Sequence, residues 1–130
     1  MSTNYSVVFA DFAERHFIKS FKKKYKNAWD YTLAALRSEF ENFDLLFQKS
    51  IAEKIYQSSV LDICKTEFRI AGTDVSRRAS GNRCIVAIHK ETNTVHVLLV
   101  YHKNDIGDDN ETSKWKSVIK ANFPQYKQIL

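Results

Sequence analysis

Glycine and proline are scarce in this chain of 130 residues, three and one respectively. That argues against a collagenous or loop-rich scaffold and for regular elements with short connections. Cysteine is limited to Cys64 and Cys84, too few for a disulfide framework or a metal quartet. Both lie in apolar, strand-like runs, so the sequence predicts buried, reduced thiols that act as small hydrophobes. No apolar run approaches the ~20 residues of a membrane-spanning helix. Met1-Ser2-Thr3-Asn4 is not a basic segment leading into an apolar one. No signal peptide is therefore expected, and the expected location is cytoplasmic with no membrane partner. The four histidines, His16, His89, His96 and His102, lack metal-ligand spacing and have no accompanying carboxylate pair. Neither a metal nor a small-molecule cofactor is expected.

What is present is enough to build a core: 44% hydrophobic residues, 13% aromatic and 27% charged. With no internal repeat or linker, residues 1–130 read as one domain. The net charge of +5 favours polyanionic partners without establishing them. Residues 65–103 carry seven Lys or Arg (Lys65, Arg69, Arg77, Arg78, Arg83, Lys90, Lys103) against three acids. Arginine leads this group, and its planar fork suits phosphate. A second cluster, Lys22-Lys23-Lys24 with Lys26, reads as the solvated face of a helix.

Hydrophobic periodicity orders the elements. Residues 5–10 (Tyr5 to Ala10) form a first strand. A helix carrying Phe17, Phe21 and Tyr25 follows, with Phe12 on the adjoining face. Asn27 can cap a second helix, whose apolar positions Trp29, Leu33, Leu36, Phe40, Phe43 and Phe47 have heptad spacing. Two antiparallel helices joined near residues 26–28 are the expectation. Residues 48–59 are polar, and Ile51, Ile55 and Tyr56 suit another turn or two of helix. From residue 60 the period becomes two: a strand over 60–71 turns Cys64, Thr66, Phe68 and Ile70 one way and Lys65, Glu67 and Arg69 the other. Residues 72–82 form a basic, polar loop. Strands over 83–90 and 94–103 make a hairpin, and residues 104–112 a polar loop. A last helix, capped by Asn110, Thr112 or Ser113, buries Trp115, Val118, Ile119 and Phe123 and ends at Pro124. The fold class is α+β: a strand and helical hairpin packed on an antiparallel sheet of about four strands, plus a C-terminal helix extension over 111–124.

A hairpin connection of two or four residues centred on Thr92-Asn93 would set Arg83 opposite His102, Cys84 opposite Tyr101 and His89 opposite His96. A loop of three or five residues would flip the faces. The first register brings a fixed cation beside a group that titrates near neutrality. Cleavage of RNA through its own 2′-hydroxyl needs a base, a cationic clamp on the phosphorane and an acid for the 5′ oxygen. Glu67 can serve as base, Arg83 and Arg69 as clamp, and His102 as acid, with Lys65, Arg77 and Arg78 extending a phosphate-binding surface. A lone strand histidine is more often structural or solvated, and His89 and His96 read as surface residues.

Gly81-Asn82-Arg83-Cys84-Ile85-Val86, then Tyr101-His102-Lys103-Asn104, preceded by the basic loop Ser76-Arg77-Arg78, resembles the RelE/ParE toxin superfamily, and within it the YoeB branch. The specific likeness covers residues 68–105; the order of elements extends it over most of the chain. The resemblance implies a toxin of a bacterial type II toxin–antitoxin pair. Such a toxin cuts mRNA on the ribosome without metal and is neutralised by a cognate antitoxin. It also implies that Arg83 contacts the scissile phosphate, that His102 matches the histidine closing the last strand, and that Arg77 and Arg78 match loop arginines. Glu67 falls approximately on the branch's catalytic glutamate. Lys103 stands where the branch often carries a catalytic aromatic, so stacking would fall to Tyr101. Two alternatives share the fold: a ParE-like, non-enzymatic gyrase inhibitor, and a non-toxic nucleic-acid- or protein-binding module.

Overall fold

The computed structural model describes residues 4–106 and 110–130. Strand β1 (Ser6–Phe9) leads into a continuous helical rod made of α1 (Asp11–Ala13), a wider π-helical turn (Glu14–Ile18) and α2 (Lys19–Tyr25). Lys26, with φ 52°, makes the reversal into α3 (Asn27–Glu41). Asn27 is thus the first helical residue and not the cap. A break at Asn42 precedes α4 (Phe43–Gln48). Trp29, Leu36, Phe40 and Phe43 of the predicted stripe are buried, while Leu33 and Phe47 lie half-buried at its margin.

Residues 52–57 depart from expectation. They form strand β2 (Ala52–Gln57), antiparallel to β3 (Leu61–Phe68), with a bulge between Lys54 and Tyr56. The bulge lets the consecutive residues Ile55 and Tyr56 pack on the same side of the sheet. That removes the period-two signal by which a strand is recognised. The basic loop contains a four-residue helix, α5 (Arg77–Ser80), capped by the Ser76 hydroxyl, which accepts from the Ala79 N–H at 3.1 Å. Strands β4 (Asn82–His89) and β5 (Thr94–His102) form the hairpin. Then come α6 (Lys103–Ile106), α7 (Glu111–Asn122) and a 3₁₀ turn (Pro124–Tyr126). Of the polar loop expected at 104–112, residues 104–106 belong to α6 and residues 111–112 to α7, while residues 107–109 lie outside the described residues.

The sheet has five strands in the order β1-β5-β4-β3-β2; β1 runs parallel to β5 and the other pairs are antiparallel. Both faces are covered. On one, Trp29, Phe40, Phe43 and Phe9 pack over Cys64, Phe68, Cys84, Val86 and Val97. On the other, Trp115, Ile119, Phe123 and Tyr126 pack over Ile63, Ile85, Ala87, Leu99 and Tyr101. Residues 82–88 of β4 are consequently all buried, which explains their unbroken apolar run after Arg83. No described helix is long and apolar enough to cross a membrane.

Candidate functional site

The hairpin register decides what the site contains. At its tip His89 pairs with Thr94, so the four-residue connection is Lys90–Asn93, one residue earlier than expected. That slip moves the pairing sum by two and leaves the faces unchanged. The faces change further along, where Val86 pairs with Val97 but Ile85 pairs with Leu99. Leu98 is the extra residue of a bulge, and beyond it every side chain of β5 has switched sides relative to β4. Arg83 therefore pairs with Tyr101, not His102; His102 pairs with Asn82, and Cys84 with Val100. The expected neighbours Arg83 and His102 stand on opposite faces.

Arg83 instead joins a row across three strands, Glu67 on β3, Arg83 on β4 and Tyr101 on β5, with direct Cα partners at each step. Lys65 lies two residues before Glu67 and on the same face. Helix α7 covers this row, and its first residue, Glu111, sits on it. The Tyr101 hydroxyl donates to Glu111 Oε2 at 2.7 Å. The same oxygen lies 3.5 Å from Lys65 Nζ and 3.8 Å from Arg83 Nε. Arg83 Nη1 is 4.0 Å from Glu67 Oε2 and donates to the Asn82 carbonyl at 3.2 Å. Arg83 is only 7% exposed. A lone buried charge costs several kcal/mol, on the order of the gain from pairing it, so this burial depends on both carboxylates.

The electrostatics follow from that crowding. Burial alone would raise the Glu111 carboxyl, but the Tyr101 hydrogen bond and the charges of Lys65 and Arg83 outweigh it and hold the group below its usual range. Burial, followed by the hydrogen bond to Glu111, pushes the Tyr101 phenol well above its usual range. Tyr101 thus keeps its proton and acts as a hydrogen-bond donor.

His102 belongs to a different place. With His16, Phe17, Lys24, Tyr25 and Ser80 it lines a cleft of about 560 Å³ between the first helical rod and the end of β5. Its Nδ1 accepts from the Asn104 N–H at 3.1 Å, which leaves the proton of the neutral ring on Nε2. The ring packs on Gly81: a Cβ there would lie 2.6 Å from His102 Nε2, and Gly81 has φ 79°. The glycine of the motif is therefore needed both for its backbone and for the space it leaves.

The loop arginines divide. Arg77 pairs with Glu39 of α3 through both carboxylate oxygens and also donates to the Glu67 carbonyl at 3.2 Å. It ties α5 to the helical layer. Arg69 and Arg78 are exposed, and Lys103 is half-buried at the start of α6. His89 and His96 are diagonal neighbours, not opposed residues, with ring centroids 4.6 Å apart. Neither is a plain surface residue: both are half-buried, and Tyr126 of the C-terminal turn packs on His89, its Oη 2.8 Å from His89 Nε2. Burial lowers both imidazoles, and His89 lowers His96 further. Cys64 and Cys84 are buried free thiols, as expected. Among the described residues no three His, Cys, Asp or Glu side chains stand where they could hold a metal ion.

Glu111 was not foreseen as a site residue. No motif marks it. The available signal was indirect: the apolar runs of β4 and β5 call for cover on both faces, and the Trp115, Ile119 and Phe123 stripe of the last helix needs a surface to bury against.

No family model matches the sequence, and no curated protein matches it. Among solved structures, the fold is similar to a chain of the archaeal RelE–RelB complex from Pyrococcus horikoshii OT3. The TM-score is 0.53 at 13% identity, covering 77% of this chain and 96% of that one. The chain has a RelE-like α+β fold.

Proposed function

We propose that this protein is the toxin of a bacterial type II toxin–antitoxin pair, a cytoplasmic, ribosome-dependent and metal-independent mRNA endoribonuclease. The observation that carries this reading is the Glu67, Arg83, Tyr101 row, with Lys65 beside it, on one face of a RelE-like sheet. It presents a carboxylate, a planar cation and a neutral donor side by side, which is the chemistry that in-line attack of a 2′-oxygen on phosphorus requires. Glu67 takes the 2′-proton as the new bond to phosphorus forms. Arg83 and Lys65 stabilise the pentavalent phosphate, and Tyr101 donates a hydrogen bond to it. The phosphorus–5′-oxygen bond then breaks. Because Tyr101 holds its proton and His102 faces away, the leaving oxygen takes its proton from water, and the proton held by Glu67 neutralises the hydroxide that this leaves, which restores the carboxylate. Arg69, Arg78 and Lys103, with the exposed lysines of α2, supply charge for the RNA backbone. His102 contributes through its cleft as an RNA-binding group. The likeness to a chain of a RelE–RelB complex supports a cognate antitoxin as partner.

The burial of Arg83 favours a second reading, a non-enzymatic protein of the same fold: a ParE-like gyrase inhibitor or a non-toxic binding module. Induced expression in a bacterial host separates them. The nuclease reading expects growth arrest with new mRNA 5′ ends, both lost in Arg83→Ala. Arrest without new ends, unchanged by Arg83→Ala, would establish the gyrase-type alternative. Absence of arrest would leave the binding module.

A further inference from the structure

The buried row raises a steric question. A phosphate that reached Arg83 would need the position Glu111 Oε2 now holds, because that one oxygen already collects the Tyr101 hydroxyl, Lys65 Nζ and Arg83 Nε. Three groups suited to an oxyanion converge on a carboxylate supplied by the chain itself. The fit is incomplete: Arg83 Nε is buried and makes no hydrogen bond among the described residues. The Glu111 carboxylate satisfies the site electrostatically but leaves one donor unused.

The anchoring of α7 is uneven. Trp115 and Ile119 are fully buried and Phe123 nearly so. Removing these side chains from their core would expose large apolar areas, so displacing the whole helix is costly. The first turn is different. Thr112, Ser113 and Lys114 are exposed. Asn110 precedes them at φ 61°, in a left-handed conformation, and its side chain makes no capping hydrogen bond among the described residues. A poorly capped first turn frays more readily than the turns behind it. Glu111 is its principal tie to the sheet.

We infer that the first turn of α7 is a built-in competitor for the oxyanion site of Lys65, Arg83 and Tyr101: Glu111 and a phosphate group exclude each other, and the turn swings out about Trp115 when phosphate binds. With Glu111 in place, two cations face two carboxylates, Glu67 and Glu111; once it leaves, Lys65 and Arg83 outnumber Glu67 by one charge. The site is thus neutral when closed and positive when open. The inference rests on the phosphate-binding role proposed for Arg83, but not on cleavage.

The test uses the full chain and inorganic phosphate as the probe. Calorimetric titration near pH 7 is expected to show at least tenfold tighter phosphate binding to Glu111→Gln than to the wild type. The gain should vanish in Glu111→Gln/Arg83→Met. Equal affinities for wild type and Glu111→Gln, or binding that survives Arg83→Met, would overturn the proposal. Hydrogen exchange on the wild type gives an answer that needs no variant to fold. Phosphate is expected to speed exchange at the amides of residues 111–114 and leave those following Trp115 unchanged. No acceleration, or acceleration along the whole helix, would refute the hinged turn. Phosphate binding to Glu111→Gln without RNA cleavage would keep the competitor and discard the nuclease.

Discussion

Single side chains show where sequence and structure agree. Gly81 was legible as part of a motif, but its reason is three-dimensional: positive φ and a histidine ring where a Cβ would go. Gly81→Ala is expected to cost about 1–3 kcal/mol from backbone strain alone and to push the His102 ring aside. Urea unfolding and the His102 ring resonances check this, and an unperturbed ring would contradict the packing. Arg83 was also legible, as the strand arginine of the same motif, yet its partners were not. Its surroundings are set by neighbours 16 and 18 residues away along the chain, Glu67 and Tyr101, and by Glu111. No spacing rule connects those four positions.

Among the elements, α7 carries the strongest expectations. Trp115→Ala is expected to cost roughly 3–5 kcal/mol, the range for a fully buried aromatic, measurable by denaturant unfolding. The tie at Glu111 has a pH signature. Its folded carboxyl lies below the ordinary value of 4.5, so its stabilisation is fully present above that value and is lost as pH falls through the lower, folded one. Lys65, Arg83 and Tyr101 face it from three strands, and Glu67 is the other nearby acid. Protection from exchange at residues 111–114, taken relative to the intrinsic amide rate at each pH, is therefore expected to fall on acidification below about pH 4.5 in the wild type, and to be flat in Glu111→Gln. An identical acid response in both would show that another carboxylate governs the turn. The helices were readable from their apolar stripes, and the hairpin strands from β-branched, apolar runs on either side of a polar turn. β2 was not, because a bulge in a strand at the sheet edge puts adjacent residues on one side.

At the scale of the whole molecule, two covered faces bury the cysteines of the central strands. Cys64 is pushed up to about 12 by burial, with Asp62 adding to it, and burial raises Cys84 as well. Both thiols are expected to resist a disulfide reagent in the native state and to react only as the chain unfolds. Fast labelling of the folded protein would refute this double cover. The sequence by itself determined the α+β class, the helical hairpin, the paired strands and the terminal helix, because each is written in a local period and a few turn residues. It also determined which residues carry the charge. Only the tertiary structure decided which of them meet. One extra residue at Leu98 reverses the faces of β5, separating His102 from Arg83 and setting Tyr101 beside it. Only packing decided that Glu111 would close the row. A bulge and a helix docking site are settled by the fit of whole layers, which no local pattern encodes.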